Sequence, residues 1–370
     1  MERMQCLYEH AVEYNLSESG VEPMTLEELL GGPEALRSLL GVEIGYPQSN
    51  GSLPLRERIA SFYPGADPDS VTVVNGGSEA NFIALWTLLE RGDRLAFLLP
   101  NYMQGWSLGR HFGAGSDAFR LRVRNEGARR RWALDVDGLE RAVSRDTRVI
   151  LVTNPNNPTG SVLTEAEMDA VVRVARRARA WLVADEIYRG AELDGSLTPT
   201  FWGRYDKLVV TSGLSKAFAL PGLRIGWMVA PPKLIEKLWI HHDYTTLTPG
   251  ALSQHLAGVA LDPSRREEIL ARTRGILRRN LPVLDEWVRS HGDLFDYIPP
   301  SAGAIALLKY DLPVRSGALI DRIREEQSVL LVPGDQVGLG KYMRIGYGSD
   351  LEFMLKGLSR VDETLASLAS

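Results

Sequence analysis

At 370 residues, 44% apolar and 24% charged, with 35 Gly and 20 Pro, the chain has a globular composition and is neither disordered nor collagen-like. Its 42 basic and 47 acidic side chains leave a formal charge of -5, which gives no electrostatic case for nucleic acid or an anionic membrane as partner. One cysteine, Cys6, excludes an intrachain disulfide, no Cys/His cluster has zinc spacing, and no stretch approaches the ~20 apolar residues of a membrane span; a reducing cytoplasm and no metal site are expected.

Along the chain, the charged start with Glu2, Arg3, Glu9 and Glu13 is unlike a signal peptide. Gly31-Gly32-Pro33 and Gly41 punctuate the first 41 residues, which show no strand of the series that follows. Val71-Thr72-Val73-Val74 predicts a strand, Asn75-Gly76-Gly77-Ser78 a turn, and Ala80, Ile83, Ala84, Trp86 and Leu88 a helix. Strand patterns recur at 94–99, 149–153, 180–184, 207–211 and 225–229, with a helix over 164–178. Short, continuously apolar strands alternating with helices predict an α/β fold with a mainly parallel sheet covered on both faces. After Pro249 the pattern changes to a long helix over 267–290, kinked at Pro282, strands over 297–310 and 329–332, and a closing helix over 351–365, which together predict a smaller α+β domain. The arginines at 120, 122, 124, 129, 130 and 131, and at 173, 176, 177 and 179, read as a solvated hairpin and a solvated helix face.

Three segments carry chemistry, each where a strand hands over to a loop. Asn154-Pro155-Asn156-Asn157-Pro158-Thr159-Gly160 forms a rigid turn at a strand's carboxyl end, the usual ligand position in such sheets. Asp185-Glu186-Ile187-Tyr188 puts a carboxylate at a buried strand end, where it needs a cationic partner to stay ionised. Ser212-Gly213-Leu214-Ser215-Lys216 places a lysine between apolar strands, where lost solvation makes its amine nucleophilic near neutral pH. An amine for a Schiff base, an anion for a pyridinium nitrogen and a donor for a phenolate oxygen are the parts of a pyridoxal phosphate site. Gly76-Gly77-Ser78 at a helix N-terminus, with Ser215 and Arg224, supplies a phosphate cradle.

These motifs, in this order, resemble the class I/II aminotransferases of the aspartate aminotransferase superfamily: 156–160, 185–188, Ser-Lys-Ala-Phe-Ala-Leu-Pro-Gly-Leu-Arg-Ile-Gly-Trp at 215–227, and Met-Arg-Ile-Gly-Tyr-Gly at 343–348. The resemblance implies the pyridoxal-phosphate-dependent transferase-like fold (fold type I), with a large domain over 42–250 and a small domain built from 1–41 and 251–370. It implies an aminotransferase moving an amino group between an L-amino acid and a 2-oxo acid by a ping-pong mechanism. Lys216 would be the Schiff-base lysine and proton shuttle, Asp185 the partner of the ring nitrogen, and Asn157 and Tyr188 the partners of the phenolic oxygen. Arg224, Gly77, Ser78 and Ser215 would hold the phosphate and Tyr102 would stack on the ring. Arg344 would grip the substrate carboxylate, with Asn157 beside it and Gly20 in the segment folded over the substrate. Tyr46 would reach the phosphate of a neighbouring subunit, which makes the enzyme a homodimer with shared active sites.

The chain departs from the family's pattern in places. Gly213 stands where a hydroxyl residue is frequent. His241, His242 and Asp243 stand before the small polar pair Thr245-Thr246, where dicarboxylate-specific members carry an arginine, so aspartate and glutamate are not expected as preferred substrates. Glu18 and Glu22 are candidates for selecting a cationic side chain. The segment ending Ser19-Gly20-Val21 is also similar to capreomycidine-synthase-like enzymes, which implies as alternative a lyase or cyclase acting on a cationic amino acid. A non-catalytic regulator on the same fold would be expected to carry a DNA-binding helix-turn-helix, which residues 1–41 do not show.

Overall fold

The computed structural model describes residues 1–127 and 129–369; Ser370, last of the expected small domain, and the Arg129 side chain of the arginine-rich hairpin lie outside what is described. The first segment forms α1 (Glu2–Tyr8), β1 (Tyr14–Asn15), α2 (Leu26–Leu30) and α3 (Pro33–Leu40). Next come α4 (Leu53–Ala60), β2 (Val71–Val74), α5 (Gly77–Leu88), β3 (Arg94–Leu99), α6 (Gln104–His111), β4 (Gly115–Glu126) and β5 (Arg129–Leu134). The alternation continues through α7 (Val136–Ala142), β6 (Thr147–Thr153), α8 (Glu165–Ala178), β7 (Trp181–Asp185), β8 (Leu208–Gly213), β9 (Gly226–Val229) and α9 (Pro232–Asp243). The remainder is α10 (Ala251–Ala260), α11 (Pro263–Ser290), β10 (Phe295–Tyr297), β11 (Ile305–Tyr310), α12 (Ser316–Gln327), β12 (Val329–Leu330), β13 (Val332–Pro333), β14 (Tyr342–Gly346) and α13 (Leu351–Ala369).

The large sheet has the order β2-β9-β8-β7-β6-β3-β4-β5. Strands β8, β7, β6, β3 and β4 run parallel, whereas β9 is antiparallel to both neighbours and β5 returns from β4 as a hairpin. Successive side chains point to opposite faces, so each apolar strand feeds two cores. Leu98, Ile150, Val152, Leu182, Ala184 and Val210 pack on one face, and Phe97, Val149, Leu151, Val183 and Val209 on the other. The arginines at 120, 122, 124 and 130 on the β4–β5 hairpin, and those of α8, are exposed as expected.

A second sheet, β10-β11-β14-β13, is antiparallel throughout. The expected strand over 297–310 is split into β10 and β11, because Pro299 and Pro300 offer no ladder donor and Gly303 turns the chain at φ +78°. Helix α11 runs through Pro282 without interruption, held on both sides by buried Leu277, Leu284 and Val288. The short β1 pairs in parallel with β12, tying the N-terminal segment to the C-terminal part of the chain.

Candidate active site

Thr153, Asp185 and Thr211 are register partners on β6, β7 and β8. The three segments singled out in the sequence therefore leave the same edge of the sheet side by side, at the carboxyl ends of parallel strands. They open onto a cavity of about 570 Å³, and Gly77, Ser78, Tyr102, Asn157, Asp185, Tyr188, Ser215, Lys216 and Arg224 all line it.

Asp185 is buried, and its oxygens accept from Asn81 Nδ2 at 2.8 Å and from Ile187 N–H at 3.1 Å. Among the described residues no cation reaches it, and burial pushes its carboxyl above the usual range. Lys216 has no hydrogen-bond partner among the described residues; burial holds its amine below the usual lysine value, with the Glu18 charge opposing. Gly20 lies over this lysine: a Cβ there would stand 3.3 Å from the Ser215 carbonyl and 3.7 Å from Lys216 Cδ, so the close approach suits glycine.

Arg344 is fully buried on β14 and its Nε has no partner. Its Nη1 donates to Asn157 Oδ1 at 3.1 Å and touches Met1 Sδ at 3.4 Å, and no carboxylate pairs with it among the described residues. Asn157 Nδ2 in turn donates to the Tyr188 hydroxyl at 3.2 Å, whose pKa burial pushes up to about 12. One asparagine thus couples the arginine to the phenol. The other two asparagines of the turn build it: Asn156 Oδ1 accepts from the Thr159 hydroxyl at 2.7 Å, and Asn154 Oδ1 from Leu163 N–H at 2.9 Å.

At the other end of the cavity, Gly76 caps α5 at φ +89°, and a Cβ on it would collide with the Arg224 guanidinium. A Cβ on Gly226 would strike the Gly76 carbonyl, so β9 passes the turn only as glycine. Arg224 Nη1 donates to the Pro221 carbonyl at 2.9 Å and reaches Ser215 Oγ at 3.5 Å. Gly213 also has a steric reason: a Cβ would lie 2.8 Å from the Ile225 carbonyl, which leaves no room for a hydroxyl residue there. Ser212 turns away and donates to the Glu186 carbonyl at 3.3 Å.

The structure does not bring Tyr46 to the cavity; it is 87% exposed. Glu18 lines the cavity, whereas Glu22 is not among its lining residues. Sequence reasoning missed Asn81, although a lone amide on the apolar face of the predicted helix was a signal. It also missed α1 and the residue that ends it: Glu2, Gln5 and Cys6 of the helix and the following Glu9 line the cavity and carry no motif.

An uncompensated buried carboxylate, an unpartnered amine and a glycine turn beside an arginine fit pyridoxal phosphate, which offers a ring N–H to the first, an aldehyde to the second and an anion to the third. Comparison with known proteins agrees. A profile of the family Aminotransferase class I and II matches residues 37–361. The chain belongs to the class I and II aminotransferases. Within this family it is 27% identical over 358 residues to the capreomycidine synthase of Streptomyces vinaceus, covering 96% of this chain and 90% of that one. It is 27% identical over 333 residues to an aspartate aminotransferase of Streptomyces avermitilis, covering 87% and 80%. Among solved structures, a PLP-dependent aminotransferase from Streptococcus suis superposes with a TM-score of 0.92 at 29% identity, covering 99% of this chain and 97% of that one.

Proposed function

We propose that this aminotransferase-family chain catalyses pyridoxal-phosphate-dependent transamination in two half-reactions, an L-amino acid leaving as a 2-oxo acid and a second 2-oxo acid leaving as an amino acid. The observation that carries this reading is that Lys216 and buried Asp185, groups of opposite charge type, line one cavity and neither has an ion-pair partner among the described residues. When bound, pyridoxal phosphate supplies an electrophilic carbon and a ring that accepts the electron pair left when the Cα proton departs. Lys216 would offer the amine that carries the cofactor covalently and, once the substrate amine has displaced it, would take the proton from Cα and deliver it to the cofactor's former aldehyde carbon. Asp185 keeps a proton on the ring nitrogen, held in place by Asn81. Asn157 and Tyr188 would address the ring hydroxyl, Tyr102 would pack against the ring, and Gly77, Ser78, Ser215 and Arg224 would hold the phosphate. Arg344 takes the substrate carboxylate as a bidentate pair, with Gly20 closing over it.

Two further elements belong to this reading. A small domain of residues 1–41 with 251–370 is supported by the β1–β12 pairing and by the packing of α2 and α3 on α10. A homodimer is supported by exposed Leu40, Ile44, Tyr46, Tyr244 and Leu247, since the Trp239–Ser49 hydrogen bond at 2.7 Å holds the loop carrying Tyr46 against α9. Tyr46 then has a place to go: the site of the second copy. A cytoplasmic setting suits the unpaired Cys6.

The test uses the purified holoenzyme, which is expected to have twice the 41.0 kDa mass of the chain in solution. Single amino acids with cationic, aromatic and aliphatic side chains are supplied without an acceptor. The expected result is stoichiometric conversion of the cofactor to its amine form, reversed by a 2-oxo acid. Steady consumption of a donor with the cofactor left in its aldehyde form would instead favour a lyase or cyclase, the reading that the likeness to capreomycidine synthase keeps in play. A retained cofactor that no donor changes would end both.

A further inference from the structure

Glu79 lies in the first turn of α5, directly behind the glycine turn, with only 11% of its side chain exposed. A carboxylate here is unexpected on charge alone, because the turn is built to receive an anion. Its hydrogen bonds explain it. Oε2 accepts from Asn75 N–H at 2.5 Å, while Oε1 accepts from the Thr245 hydroxyl at 2.7 Å and the Thr246 hydroxyl at 2.8 Å.

Proton counting orders the rest of the cluster. Thr246 has one hydroxyl proton and spends it on Glu79, so its oxygen must accept from Asn75 Nδ2 at 2.6 Å and from His242 Nε2 at 3.2 Å. His242 is fully buried, burial lowers its pKa, and its Nδ1 has no partner, which matches a neutral ring with the proton on Nε2. The adjacent His241 faces elsewhere, with its Nδ1 3.0 Å from the Thr87 hydroxyl. The segment 242–246 is thereby fastened to both sides of the turn.

The same bonds decide which amides remain available. Asn75 N–H is used by Glu79 and Gly76 N–H by the Val74 carbonyl at 3.0 Å. Gly77 and Ser78, the first residues of α5, have no carbonyl a helical turn behind them. We infer that Glu79 is a positioning residue for the cofactor's phosphate: by holding Asn75, Thr245 and Thr246 it fixes the turn so that the Gly77 and Ser78 amides point at the anion. The inference rests on the phosphate cradle proposed above.

The experiment titrates cofactor-free wild type, Glu79→Gln and Glu79→Ala with pyridoxal phosphate and with pyridoxal, which lacks the phosphate, following tryptophan fluorescence. Wild type should prefer the phosphorylated ligand strongly. In Glu79→Ala that preference should fall by about tenfold, or about 1.4 kcal/mol. Glu79→Gln, which keeps one acceptor oxygen and the same shape, should lose less, and Thr246→Val should lose some of it with Glu79 intact. Parallel weakening of both ligands, with the preference unchanged, would overturn the inference and leave Glu79 a structural residue. Equal affinities in wild type would overturn the cradle itself and this inference with it.

Discussion

Buried charge is handled in two ways in this protein. At the junction of α8 with the β4–β5 hairpin, Glu167 is 7% exposed and every bond it needs comes from the chain. Arg131 Nη1 reaches its oxygens at 3.0 and 3.1 Å, Leu134 N–H donates at 2.9 Å and Thr164 N–H at 2.8 Å. Asp185 and Lys216 line the cavity at the carboxyl edge of the large sheet, and Arg344 is fully buried on β14 of the second sheet, yet none of the three has an ion-pair partner among the described residues. Desolvated charges are costly unless compensated. The first set is complete and serves the fold, whereas the second is left without compensation by the chain, and in the proposed reaction a cofactor and a substrate carboxylate would supply it.

The largest effect expected from this contrast is at Lys216. Lys216→Ala should slow the first half-reaction by about 10⁴, the upper range for loss of a positioned acid–base group. Conversion of cofactor to its amine form at the wild-type rate would break the contrast outright.

Asp185→Asn should slow the same conversion by about a hundredfold, comparable to removing one preorganised electrostatic group. It should also stabilise the cofactor-free protein. The unfolded carboxyl titrates near ~3.9, and burial raises the folded value, so between the two the folded state holds the extra proton. Wild-type stability is therefore lost as pH rises through that window, and the cost is complete above it. The variant carries no such charge and should be the more stable at neutral pH, with the gain vanishing below the window. Denaturant titrations at several pH values check this, and a variant less stable than wild type at neutral pH would contradict it.

The smallest catalytic effect should come from the compensated set. Glu167→Gln leaves buried donors short of an acceptor and should cost about 2 kcal/mol of stability. The rate of the half-reaction, measured under conditions where the variant is folded, should stay within about twofold of wild type, since rate effects of that size correspond to well under 1 kcal/mol. A larger loss would show that the two sets are not separate.

The legible parts of this protein are those in which neighbours in sequence act together. Val71–Val74 and Leu208–Gly213 announce strands by continuous apolar character, and the Asn-Pro turn and the Ser-Lys segment mark ligand positions by composition within a few residues. Pro299 and Pro300 carried their own warning that the strand beyond Tyr297 would break. Contacts made across distant segments left little trace. The lone amide of Asn81 on an apolar helix face marks the position but does not name its partner Asp185, 104 positions away, and nothing in α1 announces a wall of the cavity. Thr245 and Thr246 read as a small polar pair until Glu79 is found between them and the turn.

By itself, then, the amino-acid sequence determined the α/β architecture, the order of the strand-end motifs and the side chains equipped for pyridoxal phosphate chemistry, because periodicity and turn chemistry act over a few residues. Only the tertiary structure decided which of those charges are compensated, since the partner of a buried ion is chosen by packing between segments. It is that choice which leaves Glu167 paired with Arg131, and Lys216, Asp185 and Arg344 without an ion-pair partner among the described residues.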